Sequence, residues 1–232
     1  MKRFYKDVSV DGADGGWQVA LDGRGLRTQA GGAPQLVPTR EAAELLAQEW
    51  RTQGEEIDPR SFVFRDLADL AIDVVRADRD AAIVKLLSFA ETDTLCYRAD
   101  PGEPLYQRQQ EMWEPLVAAC EARYGIKLER VSGIMHRRPS AETLAALRAR
   151  LESEDDFILA ALITLASIAA SLVVPLAVLD EGADPAALFA AANAEEDWQA
   201  ELWGWDHEAE TVRGLRLEAF ESAAAFAAAV RR

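Results

Sequence analysis

The sequence predicts an α+β protein, with a small N-terminal β-rich unit followed by a larger, mostly helical domain. Three observations carry this. Apolar and polar residues alternate with the period of a strand in Arg3–Val10 and again in Trp17–Leu21, and glycine-containing turns separate such segments. Beyond residue 60 the spacing becomes helical, as in Leu67, Leu70, Ala71 and Val74, or Ile83, Leu86, Leu87 and Ala90. Half of the 232 residues are hydrophobic and alanine is abundant, which favours helix over most of the chain. The expected domains are therefore 1–60, a β-rich unit with one helix, and 61–232, a helical domain with a buried central helix.

Within the first unit, Asp22-Gly23 is a two-residue turn that tolerates positive φ and returns Gly25-Leu26-Arg27-Thr28 antiparallel to Trp17–Leu21. After the Gly31-Gly32 loop, Val37-Pro38-Thr39 leads into a helix from Arg40 to Gln53, capped by Thr39 and stopped by Gly54. Glu55-Glu56-Ile57-Asp58-Pro59 then runs extended. In the helical domain Asp100-Pro101-Gly102-Glu103-Pro104 is a break. Leu105 to Tyr124 reads as helix interrupted at Pro115, with Gly125 as its stop. Ile126 to Val131 fits a short strand or an extended linker. Ser140 caps a helix through Leu151, and Asp184-Pro185 opens a helix that runs to Trp203. Asp206 to Arg232 is helical, with Gly214-Leu215-Arg216-Leu217 as a candidate break into a strand.

Forty acidic residues against 25 basic ones give a net charge of −15, which argues against nucleic acid and against an anionic membrane surface. The same acidity suits a soluble protein, and also a holder of a basic or aggregation-prone client. Cys96 and Cys120 are too few for a disulfide scaffold and are expected to be reduced core residues. Met1-Lys2-Arg3-Phe4 enters the first strand with no signal or transit pattern, so a bacterial cytoplasmic setting, or a trimmed chain, is expected. Phe157 to Leu179 carries no charge and is long enough to span a bilayer core. Acidic flanks (Asp155, Asp156, Asp180, Glu181), no interfacial Trp or Tyr, and Pro175 within it argue for a helix buried by its neighbours, without membrane insertion. Pro175 is expected to end or kink that helix.

The chain has no phosphate-loop pattern and no G-x-S-x-G elbow, and its histidines, His136 and His207, lack ligand-spaced partners. His136 reads as a loop residue; His207 reads as surface, or as a poised base. Accordingly no catalytic residue, cofactor or metal is expected. One helix face does not fit a simple core. Leu188, Ala192, Glu195, Gln199 and Leu202 form a narrow stripe at 100° steps, so Glu195 and Gln199 sit amid apolar positions. Glu196, Asp197 and Glu201 fall to the sides or back, as solvated charges do. Either Glu195 is paired inside the fold, with an arginine or a helix terminus, or this face is an exposed contact surface with Trp198, Trp203 and Trp205 nearby.

Several segments in order resemble the ATP-twelve family: Arg3 to Val10, Val19-Ala20-Leu21-Asp22-Gly23-Arg24, Glu49-Trp50-Arg51-Thr52-Gln53 and Ile57-Asp58-Pro59. Thr92-Asp93-Thr94-Leu95-Cys96-Tyr97-Arg98-Ala99, Trp113-Glu114-Pro115-Leu116, Glu195-Glu196-Asp197-Trp198-Gln199 and Trp203-Gly204 continue the resemblance downstream. The resemblance implies a non-enzymatic assembly chaperone that binds the α subunit of the F-type ATP synthase head and promotes its assembly with β. It also implies that Glu195 matches a functionally important glutamate, which makes Glu195, Glu196, Trp198, Gln199 and Trp203 the partner-binding candidates. Eukaryotic relatives would work in the mitochondrial matrix. Two rival readings stand beside it: an acid/base enzyme with a site in the crevice between the two units, and a membrane-anchored accessory protein held by Phe157 to Leu179.

Overall fold

In the computed structural model, which describes residues 1–133, 135–204 and 206–231, the α+β class holds, with a small N-terminal sheet followed mainly by helices. The sheet is built around one strand. β1 (Val8–Ala13) and β2 (Gly16–Leu21) pair antiparallel, from Val8 opposite Leu21 to Ala13 opposite Gly16. β3 (Arg24–Gly25) pairs with the far end of β2, and β4 (Leu36–Val37) with its start. Asp22 and Gly23 both have positive φ, at 49° and 77°, as the predicted turn between β2 and β3 requires. Its Asp22 carboxylate also accepts from the Lys6 and Asp7 amides.

Two expectations for these strands are corrected, and one strand was not foreseen. The first strand starts at Val8, because the stretch before it pairs elsewhere: Lys2 bridges Glu56, and the Arg3 amide donates to the Glu55 carbonyl. Only Arg24–Gly25 of the returning segment is strand, since Thr28 turns away and binds Asp73 with its hydroxyl. β4, unanticipated, runs so close to β2 that a Cβ on Gly16 would lie 2.5 Å from the Val37 carbonyl oxygen.

Compact packing divides the described residues into two units, and α3 (Arg79–Glu91), α6 (Asp156–Ala169) and α10 (His207–Val230) contribute residues to both. The first unit comprises Met1–Ala82, Asp155–Ala161 and the stretch from Ser222. In it α1 (Arg40–Arg51), with Thr39 accepting from the Ala42 amide as predicted, lies against the sheet and buries Ala43, Leu46, Ala47 and Trp50. The helix ends before Gln53, whose side-chain amide is spent on the Glu49 carbonyl and Ser61. Trp50 is 7% exposed, its ring 5.5 Å from Tyr5 and 4.4 Å from Phe62. The buried Glu49 carboxylate accepts from the Phe64 and Arg65 amides, at 2.6 and 3.0 Å, and so caps α2 (Val63–Asp69). Burial pushes its pKa up to about 7 in spite of those bonds. A π-helical turn, Leu70–Val75, continues α2.

The second unit comprises Ile83–Glu154 and Leu162–Glu221. Two-residue strands β5 (Tyr97–Arg98) and β6 (Val131–Ser132) pair in parallel, so the expected 126–131 strand is confined to its end. α4 (Pro104–Tyr124) runs unbroken through Pro115 and stops at Gly125, whose φ of 63° supplies the left-handed cap. α5 (Ala141–Glu152) starts at Ser140, as predicted.

The uncharged stretch is not one helix. α6 ends at Ala169, Ala170 turns with φ 48°, and α7 (Val173–Val178) begins afresh. Pro175 does not cause the break; it sits in the first turn of α7, where its missing N–H costs nothing. The fully buried Asp93 holds the bend instead. Its Oδ2 accepts from the Leu172 and Val173 amides at 2.7 and 2.9 Å, while the Ala170 carbonyl accepts from Thr94. Burial raises the Asp93 pKa. α6 is not buried all round either, since Ser167 is exposed. Among the described residues no helix is long and apolar enough to cross a membrane. Cys96 and Cys120 are free and buried, which pushes each thiol up to about 12 and keeps it protonated.

Candidate partner-binding face

The predicted helix from Pro185 to Trp203 is two helices, α8 (Pro185–Ala192) and α9 (Ala194–Trp203). Asp184 caps α8 by accepting from the Ala186 and Ala187 amides. Asn193 breaks the run. Its buried side chain donates to the Phe189 carbonyl at 2.8 Å and accepts from Arg216 at 2.9 Å, so it competes with the helix for backbone partners.

Every acidic side chain of α9 has a partner. Glu195 Oε1 accepts from Gln109 Nε2 of α4 at 2.7 Å, and Gln109, fully buried, uses its own oxygen to accept from the Ala99 amide. Glu195 thus neither pairs with an arginine nor lies free. It is half-buried, and desolvation raises its pKa against the opposing hydrogen bond. Glu196 pairs with Arg216 at 3.1 Å, Asp197 with Arg213 through two bonds, and Glu201 with Arg108 at 2.6 Å. The expectation that Glu196, Asp197 and Glu201 are simply solvated is therefore corrected. Arg108 also lies 5.8 Å from the Trp198 ring, which is half-buried.

These bonds tie α9 to α4 along one side and to α10 along another, and they fix what remains outside. Gln199, Leu202 and Trp203 are exposed, Trp203 by 78%. At ~100° per residue they share one side of α9. The Glu196–Arg216 and Asp197–Arg213 pairs join the start of α9 to the first half of α10. Val212 and Leu215, one turn apart and both exposed, point away from the cleft on the far side of the pair, which Asp197, Glu201, Glu210, Arg213 and Gly214 line. The apolar side chains left open are thus Leu202 and Trp203 on α9 and Val212 and Leu215 on α10.

Of the predicted candidates, Gln199 and Trp203 lie open on this face, Glu195 lies half-buried at its edge, and Glu196 and Trp198 serve the contacts beneath. Trp205 lies outside the described residues. Val212 and Leu215 were missed because Gly214 suggested a strand; α10 in fact runs straight through it. Their helical i, i+3 spacing was the available signal. Among the described residues, no group of three or more His, Cys, Asp or Glu side chains is arranged to hold a metal.

A helix pair held by internal ion pairs and presenting aromatic and aliphatic side chains to solvent has the composition of a protein-contact surface. A family model described as ATP12 chaperone protein matches residues 2–121, and the chain belongs to that family. The fission yeast Schizosaccharomyces pombe protein atp12, named as mitochondrial, is 26% identical over 214 residues, covering 88% of this chain and 74% of that one. The crystal structure of Atp12 from Paracoccus denitrificans superposes with a TM-score of 0.92 at 35% identity, over 99% of this chain and 98% of that one. A chaperone candidate from Agrobacterium tumefaciens gives 0.93 at 36% identity, over 98% and 85%. The family match ends within α4, whereas both crystal structures extend the likeness through α9 and α10.

Proposed function

We propose that the chain is an assembly chaperone of the F-type ATP synthase that holds the free α subunit of the catalytic head until the β subunit takes its place. The family supports the chaperone part of this reading. The observation that carries the contact surface is Trp203, 78% exposed at the end of a helix whose four carboxylates are all tied down. An aromatic on a pre-ordered helix loses little conformational freedom on binding, which is what a hot spot requires. Glu195, Gln199, Trp203 and the flanking Leu202, Val212 and Leu215 form the contact; Glu196 and Trp198 set its shape.

A free α subunit exposes a wide interface meant for β, and exposed apolar surface of that extent aggregates. A holder has only to cover it and be displaced by the true partner, so no nucleotide cycle and no catalytic step is required. The setting is the bacterial cytoplasm, or the mitochondrial matrix for eukaryotic relatives. The test is co-purification of the α subunit with Trp203→Ala and with Val212→Asp/Leu215→Asp. Capture should fall by ~30-fold or more, as for loss of a ~2 kcal/mol anchor, while the melting temperature stays put. Wild-type capture by all of these variants would refute the contact surface.

A further inference from the structure

We propose that a second surface of the helical unit, a groove between α4 and α8, binds an amphipathic segment of the client chain that carries a cation at each end. The inference rests on reading the chain as a holder of a polypeptide, but it concerns a different surface from the α9–α10 face.

The groove has a volume of about 460 Å³ and an apolar floor: Met112, Pro115 and Leu116 from α4 face Ala187, Leu188 and Ala191 from α8. Two contacts orient it. Trp113 Nε1 donates to the Ala191 carbonyl at 2.7 Å, which places the C-terminal end of α8 beside the middle of α4. Arg123 pairs with Asp180, which places the loop before α8 beside the end of α4. The acidic residues lining the groove therefore fall at its two ends, Glu111 at the Ala191 end and Asp180, Glu181 and Asp184 at the other.

Those carboxylates are not equivalent. Asp180 is neutralised by Arg123, and Asp184 is occupied as the cap of α8. Glu111 and Glu181 are both exposed, and neither forms an ion pair among the described residues. Glu111 thus stands without a counter-charge at one end of an apolar trough, and Glu181 at the other, beside the amide-bonded Asp184 carboxylate. The eight residues of α8, at ~1.5 Å each, make the trough about 12 Å long, or roughly two turns of a bound helix.

An occupant of matching chemistry has apolar side chains at i and i+4 on its inner face and Lys or Arg about seven residues apart at its ends. The net charge of −15 steers such a segment toward the protein, and the two end carboxylates set its register. An acidic or uncharged segment gains neither.

The probe is a labelled synthetic helix of about twelve residues, with leucines at i, i+4 between two lysines roughly seven residues apart, titrated with the full chain by fluorescence anisotropy. Control peptides carry glutamates in place of the lysines, or a scrambled order. The wild type should bind the lysine peptide at least ~10-fold more tightly than either control, with affinity falling as salt is raised. Glu111→Lys/Glu181→Lys should remove that preference, and Ala187→Trp, which fills the trough from an exposed position, should remove binding. Trp203→Ala should leave binding unchanged. Equal binding of the lysine and glutamate peptides, or undiminished binding by the folded Ala187→Trp variant, would overturn the proposal. So would a concentration-dependent dimer that Ala187→Trp disperses, since it would give the groove to a second copy of the chain. No ATP synthase subunit is present in this assay, so the groove succeeds or fails independently of α-subunit capture.

Discussion

Replacing Glu195 by lysine separates two roles that one residue could play. Its carboxylate is the acceptor for Gln109 Nε2, and Gln109 is fully buried. Lysine has no acceptor, so the amide N–H is stranded, at about 1–3 kcal/mol for an unsatisfied buried donor. The ammonium must also leave its half-buried position, which adds to the loss. A destabilisation of roughly 2–3 kcal/mol follows, and for a chain of this size each kcal/mol lowers the melting temperature by about 2–4 °C. Glutamine keeps an oxygen in reach of Gln109 and gives up only the charge assistance, so Glu195→Gln should lose under about 1 kcal/mol. Desolvation holds the native carboxyl's pKa above its ordinary value. The native state therefore keeps this proton as pH rises past the point where the unfolded chain has lost it, and stability declines through that window; the glutamine variant lacks the decline. Thermal melts of wild type and both variants across pH provide the measurement. A Glu195→Lys protein that melts with the wild type would refute the Glu195–Gln109 bond. If the same variants are assayed for α-subunit capture, Glu195→Gln reports on contact with little confusion from folding.

Two further outcomes concern the N-terminal unit. Trp50→Ala empties the space between Tyr5 and Phe62 and should cost ~3–5 kcal/mol, whereas Trp50→Phe should cost less, because the indole Nε1 has no partner to lose; equal urea midpoints for the wild type and Trp50→Ala would refute the packing. Glu49, ordinarily near 4.5 but about 7 in the fold, binds its proton more tightly in the native state, so stability should fall between those values as pH rises and level off above about 7. Glu49→Gln should flatten that slope, and an unchanged pH profile would show that Glu49 is not the titrating group.

Elements that depend on neighbouring residues were legible in the sequence. Thr39, Ser140 and Asp184 cap the helices they were expected to cap, Gly125 ends α4, and Asp22-Gly23 makes the hairpin turn, because each acts through backbone groups two or three positions away. Alternation followed by helical spacing was enough for the α+β class, and the ordered motifs were enough for the family. The candidate face was legible in part, since the 100° stripe singled out Glu195 and Gln199 before their surroundings were known.

Only the tertiary structure decided where the long helices stop and which charges are free. Ala170 turns because Asp93, 79 positions before Leu172, supplies acceptors for the next helix start. Asn193 turns because Arg216 and the Phe189 carbonyl share its side chain. Glu195 meets Gln109 across 86 positions, and the arginines that bind Glu196, Asp197 and Glu201 come from α4 and α10. Hydrogen bonds of that separation leave no periodic trace in the chain, because their partners are brought together by packing of the apolar faces rather than by local spacing. The apolar face at Trp203 became visible for the same reason: it is what remains exposed once those long-range pairs are made.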